Sequence, residues 1–263
     1  MDLKLENKKA FVSGSTQGIG YAIAKKLLEE GTTVVVNGRT AEKVNTAVNT
    51  LKQEFGDRVT GVAADFSNME EVQQLIEQIP SVDILINNLG IFEPRPFAEI
   101  SDEQWLKIFE VNVLSGVRLS RHYLPKMLEN NWGRVIFISS ESAINTPEEM
   151  IHYGATKTMQ LAISRGMAEL TKGSDVTVNT VLPGPTRSEG IEDFIGKLAD
   201  DNGSTPSEVE KEFFKTARPS SLLQRFASVE EVAAMVVYLG SPVASATNGA
   251  AVKVDGGVVK SIF

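Results

Sequence analysis

Residues 13–31 read SGSTQGIGYAIAKKLLEEG, and KKAFV stands directly upstream at residues 8–12. An apolar run with strand character thus passes through a glycine-rich turn into a stretch with helical periodicity, where Ile19, Ile23 and Leu27 fall on one stripe. Glycine suits such a junction because it accepts positive φ and lets other groups come close to the backbone. Amides at the N-terminus of the following helix, reinforced by its dipole, form a site for a phosphate or pyrophosphate. The pattern G-x-x-x-G-x-G is made by Gly14, Gly18 and Gly20. Tight packing of helix on strand uses the same residues, so the turn alone leaves both readings open.

The alternation begun there continues along the chain. Apolar runs rich in Val, Ile and Phe recur as TTVVVNG (32–38), RVTGVAAD (58–65), DILINN (83–88), GRVIFISS (133–140), VTVNTVLP (176–183) and AAVKVDGG (250–257). Helical periodicity fills the gaps, which predicts an α/β fold with a parallel sheet covered on both faces. Helix starts are marked by a hydroxyl residue with Glu or Gln three places on: Ser67 with Glu70, Ser101 with Gln104, Thr205 with Glu208, Ser228 with Glu231. Pro206 adds a proline suited to the first helical turn. Residues 186–220 break the rhythm. Charged and interrupted by Gly196, Gly203, Pro206 and Pro219, they predict two short helices in a surface excursion, of the kind that forms lids. No linker divides the chain, and residues 1–263 are expected to form a single domain.

Composition removes several functions. A net charge of −8 disfavours a nucleic-acid partner, which needs clustered Lys and Arg. With no Cys, and His122 and His152 as the only histidines, neither a thiolate nucleophile nor a Cys- or His-rich metal site is expected. Apolar runs are too short to cross a bilayer, and residues 1–14 lack the apolar stretch of a signal peptide. The expectation is a soluble, cytoplasmic protein without membrane, nucleic-acid or metal partners.

The second strand ends VVVNGRT, with Asn37 and Gly38 where a carboxylate would receive the ribose 2′-hydroxyl of NAD, and Arg39 just after. A guanidinium attracts a 2′-phosphate through charge-assisted bonds, so NADP is expected in preference to NAD. The alternative is a solvated Arg at a helix start.

In HYGATKTMQLAIS (152–164), Tyr153 and Lys157 lie four residues apart and share a helix face. Such pairs are common on ordinary surfaces. Shortly before them, however, a strand ends in Ser139 and Ser140, at the sheet edge where open α/β folds bind ligands.

Taken together, the glycine turn, NNLG (87–90), VNV (111–113), ISS (138–140), the Y-x-x-x-K pair and VNTVLPGPT (178–186) resemble, in order and spacing, the short-chain dehydrogenase/reductase family over about residues 8–257. The resemblance implies a doubly wound Rossmann-like domain with a seven-stranded parallel sheet and a catalytic set of Ser140, Tyr153, Lys157 and Asn112. It implies that Asp65 meets the adenine, that Asn87 and Gly90 lie beside the adenosine half, and that Pro183, Gly184 and Thr186 approach the nicotinamide amide. Cofactor contacts are further expected from the turn itself (Gly14, Ser15, Thr16, Gly18, Ile19, Gly20), from Arg39, and from Tyr153 and Lys157. Leu89 departs from the family's usual Ala.

The chemistry fits these residue types. Hydride addition to a carbonyl builds negative charge on oxygen, and a positioned acid must supply a proton. Tyr153 is suited to that role, and a nearby ammonium on Lys157 is expected to lower the phenol's pKa from its reference near ~10. Ser140 would orient the substrate oxygen, and Asn112 would hold a water of the family's proton relay. The expected activity is hydride transfer between NAD(P) and a small carbonyl or alcohol substrate, most simply NADPH-dependent reduction of a ketone or a 3-oxoacyl group. A non-catalytic NADP-sensing regulator on the same fold is the alternative.

Other residues read as structural. His152 points away from its neighbour Tyr153, Trp105 and Trp132 are packing residues, and Glu141, Glu148 and Glu149 read as a solvated loop, the alternative being that they discourage anionic substrates. Small residues along the Tyr153 helix, Gly154, Ala155, Ala162, Gly166 and Ala168, permit close approach either to the sheet or to a second subunit. The family resemblance implies a homo-oligomer, a dimer or homotetramer.

Overall fold

The computed structural model describes residues 1–262, apart from the side chain of Phe194. Nine strands occur among them: β1 (Lys9–Val12), β2 (Thr33–Gly38), β3 (Val59–Ala63), β4 (Ile84–Asn87), β5 (Trp132–Ile138), β6 (Asp175–Pro183), β7 (Thr186–Arg187), β8 (Ala227–Ser228) and β9 (Ala251–Val254). Seven of them build one sheet in the order β3-β2-β1-β4-β5-β6-β9, every pairing parallel. The chain runs outward from β1 to β3, then returns to the other side of β1 with β4. That reversal opens a crevice at the carboxyl ends of β1 and β4, the place where ligands enter such sheets.

The helices are α1 (Gly18–Glu29), α2 (Ala41–Phe55), α3 (Met69–Gln78), α4 (Asp102–Phe109), α5 (Ser115–Glu129), α6 (Ile151–Glu169), α7 (Glu189–Asn202), α8 (Pro206–Thr216) and α9 (Val229–Leu239). Because side chains alternate across a strand, each run serves two cores. Ala10, Val12, Val34, Val36, Ile84 and Ile86 face α1, α2 and α9, packing on Ile23, Leu27, Val44, Leu51, Val232 and Val236. Phe11, Val35, Leu85, Val135 and Phe137 face the other way, onto Leu75, Leu119 and Tyr123 of α3 and α5. Burial on both faces is why the strands read as unbroken apolar runs.

Reciprocal capping boxes stand at Ser101–Gln104, Thr205–Glu208 and Ser228–Glu231. The Ser67–Glu70 start shifts by one residue. Asn68 caps α3, accepting from the Glu70 amide at 3.0 Å, while the Ser67 hydroxyl donates to Asp65 Oδ1 at 2.7 Å. Asn is as good a cap as Ser, and Asp65 competes for the Ser67 hydroxyl.

The excursion holds the two expected helices, α7 and α8, closed over a small core of Ile195, Ala199, Val209, Phe214 and Phe226. It also holds a strand that the sequence does not announce: Thr186 and Arg187 pair with Ala227 and Ser228, a ladder too short to show periodicity.

Candidate active site

The glycine turn crosses the carboxyl end of β1. Gly14 and Gly18 have φ of +60° and +59°, a region that favours glycine. At Gly20 a Cβ would lie 2.4 Å from the Gly14 carbonyl oxygen, so this glycine seats α1 against the turn. Asn88 braces the loop from β4, its Nδ2 donating to the carbonyls of Ser13 (3.1 Å) and Gly14 (2.9 Å). Both polar groups of Ser15 turn inward: its amide donates to the Asn37 carbonyl at 2.8 Å and its hydroxyl to the Val12 carbonyl at 2.6 Å. Ser15 therefore contributes the loop's shape. Asn37, buried, accepts from the Gly14 amide at 3.2 Å, which makes it a brace. Thr16 packs against Gly38, where a Cβ would come within 2.6 Å of its methyl, and Ile19 is half-buried on the core under α1. Leu89 lies close over Gly14, 3.1 Å from where a Cβ would stand.

Along the same edge, Arg39 is exposed directly after β2. Asp65 follows β3, its carboxyl held below the usual range by the amide and hydroxyl of Ser67, with a smaller contribution from the charge of Arg39. Asn87, at the end of β4, donates to the Ser120 hydroxyl at 3.2 Å, while its Oδ1 is buried without a partner. Gly90 leaves room beside the lysine, since a Cβ there would stand 3.2 Å from Lys157 Nζ.

Ser140, Tyr153 and Lys157 converge at the ends of β5 and α6. Ser140 Oγ accepts from the Ser142 amide at 3.1 Å and hydrogen-bonds Tyr153. Its neighbour Ser139 donates to the Lys157 carbonyl at 2.9 Å and ties helix to strand. The Lys157 amine lies 5.6 Å from the Tyr153 ring centroid and donates to the Ile138 carbonyl at 2.9 Å. Desolvation dominates both groups. It pushes the Tyr153 phenol up to about 12, against the hydrogen bond from Ser140, and brings Lys157 down to about 7. The expected lowering of Tyr153 by Lys157 is therefore not seen in this state; the amine is itself too buried to keep a full charge near neutrality.

Asn112 sits in a π-helical turn, Glu110–Leu114, between α4 and α5. Such turns recur at functional sites. Its Nδ2 donates to the Ile91 carbonyl (2.9 Å) and the Thr156 hydroxyl (3.1 Å), and its Oδ1 accepts from the Ile91 amide (2.7 Å). Gln160 Nε2 donates to its main-chain carbonyl at 2.5 Å, while Gln160 Oε1 lies 3.5 Å from Lys157 Nζ. Both amide hydrogens of Asn112 are thus engaged within the protein, while its Oδ1 accepts from the Ile91 amide alone and keeps a second lone pair.

Beyond β6, Gly184 passes so near the Asp255 backbone that a Cβ would lie 2.6 Å from its carbonyl oxygen, and Thr186 donates to the Gly184 carbonyl at 2.9 Å. Pro183 closes β6, buried. The start of α7 reaches back over the glycine turn, with Ser188 Cβ and Glu189 Oε2 each 3.6 Å from a Cβ built at Gly18. His152 is buried edge-on to Trp105 at 5.8 Å between ring centroids, a packing role for both. Trp132 borders the core with Lys8 and Arg134 over its ring.

Glu141 departs from expectation. Glu148 and Glu149 are exposed as a solvated loop requires, but Glu141 is only 3% exposed and binds Arg218 Nε at 2.8 Å through Oε1. Gln160 and Arg218 likewise carry no signal that sequence could read, because each acts through a partner distant in the chain.

The turn's positive-φ glycines, the orphaned Asn87 Oδ1 and the space at Gly90 fit a dinucleotide laid along this edge. Among the described residues no group of three or more His, Cys, Asp or Glu is placed to hold a metal, and no helix is long and apolar enough to cross a membrane. Residues 8–195 match the family model described as short chain dehydrogenase. The chain is 51% identical over 264 residues, the full length of both, to the uncharacterized oxidoreductase YvaG of Bacillus subtilis. It is 32% identical to the 3-oxoacyl-[acyl-carrier-protein] reductase FabG of Aquifex aeolicus, covering 98% of this chain and 100% of that one. L-sorbose reductase from Gluconobacter frateurii, solved with NADPH and L-sorbose, superimposes with a TM-score of 0.94 at 31% identity over 100% of both chains. A parallel sheet, a glycine cradle and a Ser, Tyr, Lys cluster at one edge agree with all of these likenesses, and the chain belongs to the short-chain dehydrogenase/reductase family of NAD(P)-dependent oxidoreductases.

Proposed function

We propose that this chain reduces a ketone with NADPH. When bound, the dinucleotide supplies the hydride; the chain's own residues handle orientation and the proton. Ser140 holds the carbonyl oxygen, Tyr153 delivers the proton as negative charge grows there, and Lys157 positions the ribose and tunes the phenol. Asn112 holds the Ile91 turn and, through Gln160, the surroundings of Lys157. The observation that carries this reading is the convergence of Ser140, Tyr153 and Lys157 beside a glycine cradle. Gly14, Ser15, Thr16, Gly18, Ile19 and Gly20 form that cradle, with Asp65, Asn87 and Gly90 toward the adenosine and Pro183, Gly184 and Thr186 toward the nicotinamide. Tyr153→Phe removes the acid and should lower kcat by roughly 10²–10⁴; NADPH oxidation at the unmutated rate would refute the assignment.

Preference for NADPH rests on Arg39, exposed where a 2′-phosphate would lie, with no carboxylate at Asn37 or Gly38. Arg39→Ala should bring the KM for NADPH up to that for NADH, and equal KM values in the unmutated protein would contradict the preference. Likeness to FabG supports a second reading, reduction of a 3-oxoacyl thioester. We read residues 1–263 as a single cytoplasmic domain with a substrate lid at 186–220. Ala162 and Gly166 lie on the exposed face of α6, with nothing within 4 Å of a Cβ at Gly166, which supports a homo-oligomer, dimer or tetramer, built through that helix.

A further inference from the structure

Gln160 is a polar side chain where packing alone calls for an apolar one. It lies on α6, 2% exposed, on the face that carries Lys157 three residues earlier. The helix packs there against β5, β6 and the π-helical turn Glu110–Leu114. A buried amide is costly unless its donor and acceptor both find partners. Those of Gln160 do, and both partners belong to the site: Nε2 donates to the main-chain carbonyl of Asn112 at 2.5 Å, and Oε1 accepts from Lys157 Nζ at 3.5 Å. A methionine or leucine would fill the same space without joining the two.

The lysine is the group that needs such a tie. Its amine ends a flexible four-carbon stem and carries three donors when protonated. One goes to the Ile138 carbonyl at 2.9 Å and one to Gln160, which leaves the third for the cofactor, on the side where Gly90 keeps the space open. With the carboxamide gone, the Ile138 carbonyl alone would hold the amine. Tyr153 is the titratable group that faces it, its ring centroid 5.6 Å away. Charged groups on the surrounding elements are engaged elsewhere: Glu110 pairs with Arg118, Glu141 with Arg218, and Arg134 binds main-chain carbonyls. Asp102, Glu103, Lys107, Glu148, Glu149 and Asp175 lie in solvent, and His152 packs on Trp105.

We propose that Gln160 is a positioning residue of the reaction: by tying Lys157 to the Asn112 carbonyl, it sets where the amine stands relative to Tyr153 and the dinucleotide. This rests on the reductase reading above.

The test follows NADPH oxidation between pH 6 and pH 9 with ethyl acetoacetate, dihydroxyacetone or acetophenone as the carbonyl probe. Gln160→Met keeps the volume and removes both bonds, and should lower kcat by about tenfold, the worth of one hydrogen bond. Gln160→Glu places a carboxylate beside the amine. An opposite charge favours the ammonium, so the fall in kcat as pH rises through the titration of Lys157 should move upward by about one pH unit or more. NADPH binding followed by fluorescence reports that each variant is folded, and either variant decides alone if the other fails to fold. A side chain that only filled the core would change stability in both and leave the pH profile in place. Unmutated kcat in the folded Gln160→Met protein, or an unmoved profile in Gln160→Glu, overturns the inference and leaves the reductase reading intact. A folded, unmutated protein that oxidises NADPH with no carbonyl compound overturns both.

Discussion

Lys157 shows how much of a residue's chemistry is set by its surroundings. It is 4% exposed and meets only neutral acceptors, the Ile138 carbonyl and Gln160 Oε1. Its folded pKa near 7 lies below the unfolded value of 10.5, so the folded state binds the proton less readily than the unfolded chain. Below pH 7 the fold carries the whole cost of a buried charge, and that cost fades as pH rises toward 10.5. Lys157→Met should therefore raise the melting temperature relative to the unmutated protein more at pH 6 than at pH 9. A pH-independent difference would show that the amine is not desolvated. At this scale the sequence shows the pair Tyr153 and Lys157 by spacing, but not the shifts, because burial is a property of the packed molecule. Glu141 was legible only as a polar loop residue for the same reason: its partner, Arg218, comes from the far end of the excursion.

Elements were most legible where local chemistry decides them. Hydroxyl and Glu or Gln pairs marked the starts of α4, α8 and α9, since both groups act within one turn. Ser228→Ala removes the acceptor that holds the Glu231 amide at 3.2 Å, and should lower unfolding stability by about 1 kcal/mol in urea titration. No change would mean that packing of α9 on α1 alone fixes the start of that helix. The π turn around Asn112 was not legible, because it differs from α-helix by one residue in its bonding and leaves the apolar pattern nearly unchanged. The Asn itself was the clue, a poor helix-interior residue in an otherwise helical stretch.

At the scale of the molecule, the strand runs and the helices between them foretold a doubly wound sheet, and the seven strands stand where those runs lie. What they could not convey is the closeness of approach across the edge, such as Gly184 against Asp255 or Ser188 against Gly18, which depends on loops meeting in space. The order of the sheet has a bearing on biosynthesis. Strands β1 to β4, with the glycine turn and its brace Asn88, come from the first part of the chain, so one end of the crevice can assemble while translation is still under way. The other end needs β9, which pairs with β6 and brings Asp255 against Gly184. Until that strand emerges from the ribosome, the outer edge of β6 has no partner strand, and the sheet reaches its full width only once residues 251–254 are made.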